Sequence, residues 1–373
     1  MIYADHAATT ALSPAAYAAM QPWLQDKYGN PSTLYSLARE PRKAVASSRE
    51  IIADCIGSKP EEIYFTSGGT EADNWALTGV AFQQENKCGH IITSSIEHHA
   101  ILHTCDFLKR MGYAVDLLPV DEKGLVRVQT LEACLRENTK LVSIMLANNE
   151  IGTIESIREL CEVVHQHGCL FHTDAVQAVG HIPIDVKALD IDLLSASAHK
   201  FNGPKGIGFL YIREGVTIES LLHGGAQENS HRAGTENVAG IVGMATALKE
   251  HCDHLAVETA YLSQLIKALL YELNNTGLDF IVNGANHRIP GSLSISFKDA
   301  DGEMLLHRLD LMGTAVATGS ACNSKDTVLS HVISAIGVPN DYAHGTIRVT
   351  LGMDNTINQM SVLAEQIRRV LSK

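Results

Sequence analysis

The sequence predicts an α/β protein. A large domain is expected on a mostly parallel, seven-stranded sheet, with a smaller α+β domain beside it. Three observations predict this. Seven short apolar runs lie between Ile63 and Ile212, and amphipathic stretches separate most of them. After Asn237 that alternation gives way to one long helical stretch and then a mixture of strands and helices. The chain has 373 residues, which is more than one ordinary domain holds.

The seven predicted strands are Ile63–Thr66, His90–Thr93, Ala114–Leu118, Leu141–Leu146, Cys169–Thr173, Ile191–Ala196 and Gly208–Ile212. Between the first two, Ala72, Trp75, Ala76, Gly79 and Val80 recur at spacings of three and four and define a helix face. Strands alternating with helices imply a parallel sheet covered on both faces. The segment from His199 to Ile207 carries Gly and Pro and has no helical pattern. Without a crossover helix, Gly208–Ile212 is predicted to run antiparallel. Residues 237–274 read as one long helix that bridges two domains. Strands Ser292–Phe297 and Ile347–Leu351 and helices Gly302–Leu309, Val328–Ile336 and Ile357–Leu371 complete the chain. The large domain is assigned to residues 15–255, and the small one to residues 1–14 and 256–373.

Composition narrows the function. Apolar residues make up 45% and charged residues 19%, which suits a globular protein with a large core. The formal charge of −13 repels phosphate backbones, and 5% aromatic residues offer few stacking platforms, so direct nucleic-acid binding is disfavoured. The start, MIYADHAATT, lacks the basic and apolar regions of a secretory signal, and no run of 18 apolar residues is present to span a membrane. The eight scattered cysteines, none in a CxxC pair, are expected to be reduced thiols in a cytoplasmic protein, buried and inert apart from Cys322.

Chemistry collects at strand ends. In parallel sheets, ligands bind beyond the C-terminal edges of the strands. Here those edges are followed by Ser67-Gly68-Gly69-Thr70, by Glu97-His98-His99, by Asn148-Asn149-Glu150, by Asp174 and Gln177, and by Ser197, His199 and Lys200. A glycine pair at a helix start lets the backbone approach a phosphate, and the helix dipole favours its charge. The same pattern also serves as an ordinary capped turn with Thr70 as the cap. A carboxylate such as Asp174 pairs with a protonated ring nitrogen, and a partly desolvated lysine such as Lys200 attacks carbonyls. Phosphate loop, Asp and Lys together match what a pyridoxal enzyme requires.

The segments FTSGGTEADNWAL, LANNEIGTIES, FHTDAVQAVG, SASAHKFNGPKGIGFLYIR, HRAGTENV and ATGSACNS resemble those of the NifS/IscS-type cysteine desulfurases. The likeness runs from Tyr3 to Gly352. It implies the type-I fold of pyridoxal phosphate enzymes in the class-V aminotransferase group, and a homodimer. It also implies residue roles. Lys200 would hold pyridoxal 5′-phosphate covalently, Asp174 would face its ring nitrogen, and Gln177 its ring oxygen. His98 would stack on the ring and move protons. Gly69, Thr70, Ser197 and His199 would hold the phosphate, with Thr235 added from the other subunit. Asn149 would position both the ring oxygen and L-cysteine, and Arg348 would bind the α-carboxylate of L-cysteine. Cys322, in a run of small polar residues, would attack the substrate sulfur and carry it as a persulfide to an acceptor protein. That acceptor would be an iron–sulfur scaffold or a tRNA-thiolation enzyme.

The chain departs from the family's usual pattern at His6, Tyr35 and Val328-Leu329. Other readings compete with the resemblance. Ser197-Ala-His-Lys200 matches the SxxK nucleophile motif, but Asn-Gly-Pro follows where that motif needs a helix. Cys161, His165, His167 and Cys169 have zinc-ligand chemistry but not the spacing of a finger, so no metal is expected. Selenocysteine lyase, aminotransferase and β-lyase activities remain alternatives, and none of them uses Cys322 in the same way. A non-catalytic scaffold for sulfur-transfer partners is the most distant alternative.

Overall fold

A computed structural model describes residues 1–83, 88–319 and 329–372. Its strands are β1 (Ile2–Tyr3), β2 (Ile63–Thr66), β3 (His90–Ser94), β4 (Ala114–Leu118), β5 (Thr139–Ser143), β6 (Leu170–Asp174), β7 (Leu193–Ser197), β8 (Gly208–Ile212), β9 (Phe280–Asn283), β10 (Ser292–Phe297), β11 (Thr314–Ala315) and β12 (Thr346–Thr350). Its helices begin with α1 (Pro14–Gln25), α2 (Arg39–Ile56), α3 (Gly69–Ala81), α4 (His99–Arg110), α5 (Val128–Cys134) and α6 (Ile157–Gln166). They continue with α7 (Val186–Leu189), α8 (Val238–Asn274), α9 (Gly302–Leu311), α10 (His331–Ala335), α11 (Asn340–Ala343) and α12 (Ile357–Leu371).

The large sheet has the strand order β2-β8-β7-β6-β5-β3-β4. All its pairings are parallel except those of β8, which runs antiparallel to both neighbours. The antiparallel strand is the one predicted from the helix-free connection before it. Neighbouring residues of each strand serve opposite faces. Ile92, Val142, Phe171, Leu194 and Phe209 join one core with α2, α6 and the first half of α8. Ile91, Leu141, Leu193 and Leu210 join the other with α3 and α4. Both faces are therefore dry, which is why these strands read as continuous apolar runs.

A separate core forms around the antiparallel sheet β12-β10-β9, with α9, α12, Ile2 and Ala4. Helix α8 links the cores. Ile241 to Leu248 pack in the first and Leu262 to Leu273 in the last. Asn237 caps α8 by accepting from the Gly240 amide.

Several predicted bounds shift. The strand expected over Leu141–Leu146 is β5, Thr139–Ser143. Beyond Ser143 the chain still bonds β6 on one side, through Ile144 N to His172 O and Leu146 N to Asp174 O. On the other side it has passed the end of β3. The strands expected at Cys169–Thr173, Ile191–Ala196 and Ile347–Leu351 are displaced by one or two residues. The helix expected over Val328–Ile336 is described from His331, where Ser330 caps it. Val328 lies outside the described residues.

Candidate active site

Strands β2, β3, β5, β6 and β7 all point the same way, so their C-terminal ends share one edge. The loops beyond that edge line a cavity of about 650 Å³. One wall is the start of α3. Gly68 precedes it at φ 151°, and neither it nor Thr70 caps the helix with a side chain. A Cβ on Gly69 would sit 2.5 Å from Val176 Cγ2, so only glycine allows this approach of α3 to the loop after β6. Ser197 and His199 line the cavity beside this helix start, where backbone amides offer donors to an anion. His199 is pushed down to about 4 by burial and by Lys200 and Lys205, so it is neutral here.

Lys200 lies on the single turn Ala198–Lys200 that follows β7. Its ammonium donates to the carbonyls of Ala7 and Ala8, which places the N-terminal run YADHAATT across the mouth of the site. Gln177 Nε2 also donates to the Ala7 carbonyl, at 3.0 Å. His6 secures this run. Its two ring nitrogens face the acceptors Thr350 O and Asp354 Oδ1, each at 3.0 Å, and the ring lies edge-on to Tyr3.

The floor is crowded with carboxyl groups. Asp73, His98 and Asp174 each bring one polar atom within 4.8 Å of the others. Asp73 and Asp174 are 1% and 4% exposed, so both cannot ionise cheaply. Burial, then the Asp174 charge, drives Asp73 well above the carboxylate range, and its Oδ1 has no hydrogen-bond partner among the described residues. Burial raises Asp174 less, to about 6, because the Val176 amide and Lys200 favour its charge. Asp73 is therefore driven toward its protonated form more strongly than Asp174, and both line the cavity. His98 caps α4, its Nδ1 accepting from the Ala100 amide at 3.1 Å. Burial and then Lys200 press it down to about 4, so it is a neutral imidazole with its proton on Nε2.

At the opposite end, Arg348 of β12 is 8% exposed. It donates to Asp5 Oδ1 at 2.7 Å and to the Asn149 carbonyl at 2.9 Å, and its Nε has no partner among the described residues. The fork is thus fixed in place with donor capacity left over. Glu150 lies beside it. Its carboxyl accepts from Ser330 Oγ at 2.6 Å, and burial raises it to about 7.

The class-V aminotransferase family matches residues 2–363. The chain belongs to this family. Within it, cysteine desulfurase IscS of Dictyoglomus turgidum is 49% identical over 373 residues, covering 100% of this chain and 95% of the relative. Cysteine desulfurase IscS of Methanosarcina thermophila is 45% identical over 372 residues, covering 100% and 92%. Among solved structures, a NifS-like protein aligns with TM-score 0.93 and 38% identity over 100% of this chain and 99% of its own. SspA in complex with cysteine aligns with TM-score 0.85 and 35% identity over 94% and 99%.

Gly69, Thr70, His98, Asn149, Asp174, Gln177, Ser197, His199, Lys200 and Arg348, the family positions expected from the sequence, line this one cavity. Thr235 does not line it and is exposed. Cys322 lies outside the described residues. Sequence reasoning placed Glu97 and Glu150 at the sheet edge without a role, and missed Asp5 and Asp73. Asp73 carried a usable signal, since it stands three, four and seven residues before Ala76, Leu77 and Val80, on the buried face of α3. The zinc-like set does not converge. His165 contacts Asp190 and Asp192, Cys169 donates to Thr139 O, and the His167 ring meets Val163 O. The expectation that the cysteines other than Cys322 are buried is corrected at four positions: Cys88 is exposed in a surface turn, and Cys55, Cys134 and Cys252 are half-buried because they lie at the edge of the large-domain core.

Proposed function

We propose that this protein removes the sulfur of L-cysteine with pyridoxal 5′-phosphate, releases L-alanine, and keeps the sulfur as a persulfide on Cys322. One observation carries the reading. A single cavity holds Lys200, the glycine-rich start of α3, two buried aspartates, a neutral imidazole and a pinned arginine. The residues fit this cofactor. Glycines leave room at the start of α3, and the buried carboxyl pair offers one charge to a ring nitrogen.

When bound, the cofactor supplies an electron-withdrawing ring that eases bond breaking in an amino acid. Lys200 holds it covalently. Gly69, Thr70, Ser197 and His199 hold its phosphate, and Asp174 and Gln177 orient its ring. His98 is suited to giving and taking a proton at Nε2, since it is neutral near pH 7. Arg348 takes the substrate carboxylate, and Asn149 positions the substrate. The Cys322 thiolate forms a bond to the substrate sulfur as the carbon–sulfur bond breaks. The carbon keeps that electron pair and is protonated to give alanine. Thr235, exposed here, completes the phosphate site of a second copy in a homodimer. The persulfide passes to an acceptor protein of iron–sulfur assembly or tRNA thiolation in the cytoplasm. The two cores linked by α8 support a domain boundary near residues 14 and 255.

The test is alanine formation from L-cysteine, with a reductant present, by the wild type and by Cys322→Ala. Alanine from the wild type alone is expected. Equal alanine from both would remove Cys322 from the mechanism and favour a lyase.

A further inference from the structure

A second sulfur-bearing site lies away from the cavity. Cys55 is on the last turn of α2 and Cys252 is on α8, and the two helices pack together. Both thiols are free and half-buried, and they hydrogen-bond to each other. They share a cavity of about 210 Å³ with Ile56, Val179, Ile184 and Leu248. The contact makes the thiols unequal. Cys55, donating into the pair and desolvated, is driven up, while Cys252 is pulled down by the bond from Cys55. Burial pushes Cys105, Cys161 and Cys169 upward instead. A thiol with enhanced thiolate character beside a protonated partner is the arrangement that thiol–disulfide exchange uses.

The location gives the pair a consequence. On α8, the residues packed in the large-domain core end at Leu248 and Cys252, and those of the small-domain core begin at Leu262. A covalent link at Cys252 would fix α8 at the point where it leaves the large domain.

We propose that Cys55 and Cys252 form a reversible dithiol site that closes to a disulfide with a low-molecular-weight disulfide such as glutathione disulfide. The Cys252 thiolate bonds to one glutathione sulfur, and the glutathione disulfide bond breaks to release one glutathione thiolate. Cys55 then loses its proton and attacks the Cys252 sulfur, releasing the second glutathione. The protein loses two electrons and two protons, and glutathione disulfide gains them.

Treatment of the pyridoxal-loaded wild type with glutathione disulfide, then alkylation and peptide mass mapping, tests this. The expected product joins the Cys55 and Cys252 peptides with the loss of two hydrogens, and dithiothreitol reverses it. Cys55→Ser should trap glutathione on Cys252. Oxidation should slow hydrogen exchange over residues 249–261 in the wild type but not in Cys55→Ala/Cys252→Ala, whose basal alanine formation should be unchanged. If natively folded protein yields both residues as alkylated thiols, or as two separate glutathione adducts, the dithiol site does not exist.

Discussion

Two clusters of ionisable groups in this molecule use the same residue types in opposite ways. Beside β7, His165 meets Asp190 and Asp192 at 3.0 and 2.7 Å, and Arg213 reaches the same carboxylates at 2.7 and 3.1 Å. Opposite charges face each other there. Hydrogen bonding to Asp192 raises His165, and Arg213 and His165 together overcome burial to lower Asp190. His165, Asp190 and Arg213 are each driven toward the charged form, as in a structural ion cluster. On the active-site floor like meets like. Asp73 and Glu97 are driven up, Glu97 to about 8, while His98 is driven down to about 4. One buried oxygen each of Asp73 and Glu97 has no hydrogen-bond partner among the described residues. Such an arrangement costs stability, and it persists where chemistry needs groups poised away from their ordinary state.

The largest effect that would sharpen this contrast separates the two aspartates. Asp174→Asn should lower the rate of alanine formation by about 100-fold or more, since it removes the charge meant for the ring nitrogen. Asp73→Asn should change it by only about threefold or less, because Asp73 is the aspartate driven more strongly toward its protonated form. The reverse order would place the proton on Asp174. Next, Arg348→Ala should weaken L-cysteine binding by about 2 kcal/mol, or about 30-fold in KM. An unchanged dependence on cysteine concentration would take Arg348 out of the substrate site.

Two stability tests follow, of smaller size. Glu97 is protonated in the fold up to about 8, against an ordinary value of 4.5. The unfolded chain therefore releases a proton that the fold keeps, and stability falls as pH rises between those values. Glu97→Gln should remove this penalty, raising stability at pH 8 by about 1–3 kcal/mol and leaving it nearly unchanged at pH 5. Denaturant unfolding at the two pH values reads the difference. His165 has the opposite sign. Its raised value adds stability below its unfolded value of about 6.5, and that stability disappears as pH rises through the folded value. His165→Gln should cost about 1 kcal/mol at pH 5.5 and little at pH 9, the partly exposed ring being screened by solvent. A loss independent of pH would mean that His165 acts by packing alone.

Much of the cavity was legible because a parallel sheet turns sequence order into position. Residues just past successive strands must meet at one edge, so Gly69, His98, Asn149, Asp174 and Lys200 could be grouped before any coordinates. Other members were not legible. Asp5 looks like a surface residue near the N-terminus until β12 brings Arg348 against it at 2.7 Å. Glu150 stands in the same triplet as Asn149, yet its place beside Ser330 depends on where α10 packs against Ile96 and Ile151. The thiol pair Cys55 and Cys252 is separated by most of the large domain in sequence and meets only because α2 lies on α8.

The sequence by itself determined the α/β class, the antiparallel β8, the long α8 and the residues gathered at the sheet edge. These follow from local periodicity and from the geometry of strand crossovers, which act over a few tens of residues. Only the tertiary structure decided the protonation of Asp73 and Asp174, the pinning of Arg348 and the contact between Cys55 and Cys252. Those properties depend on burial and on charges or thiols brought together from distant segments, and a linear pattern does not encode the distance between them.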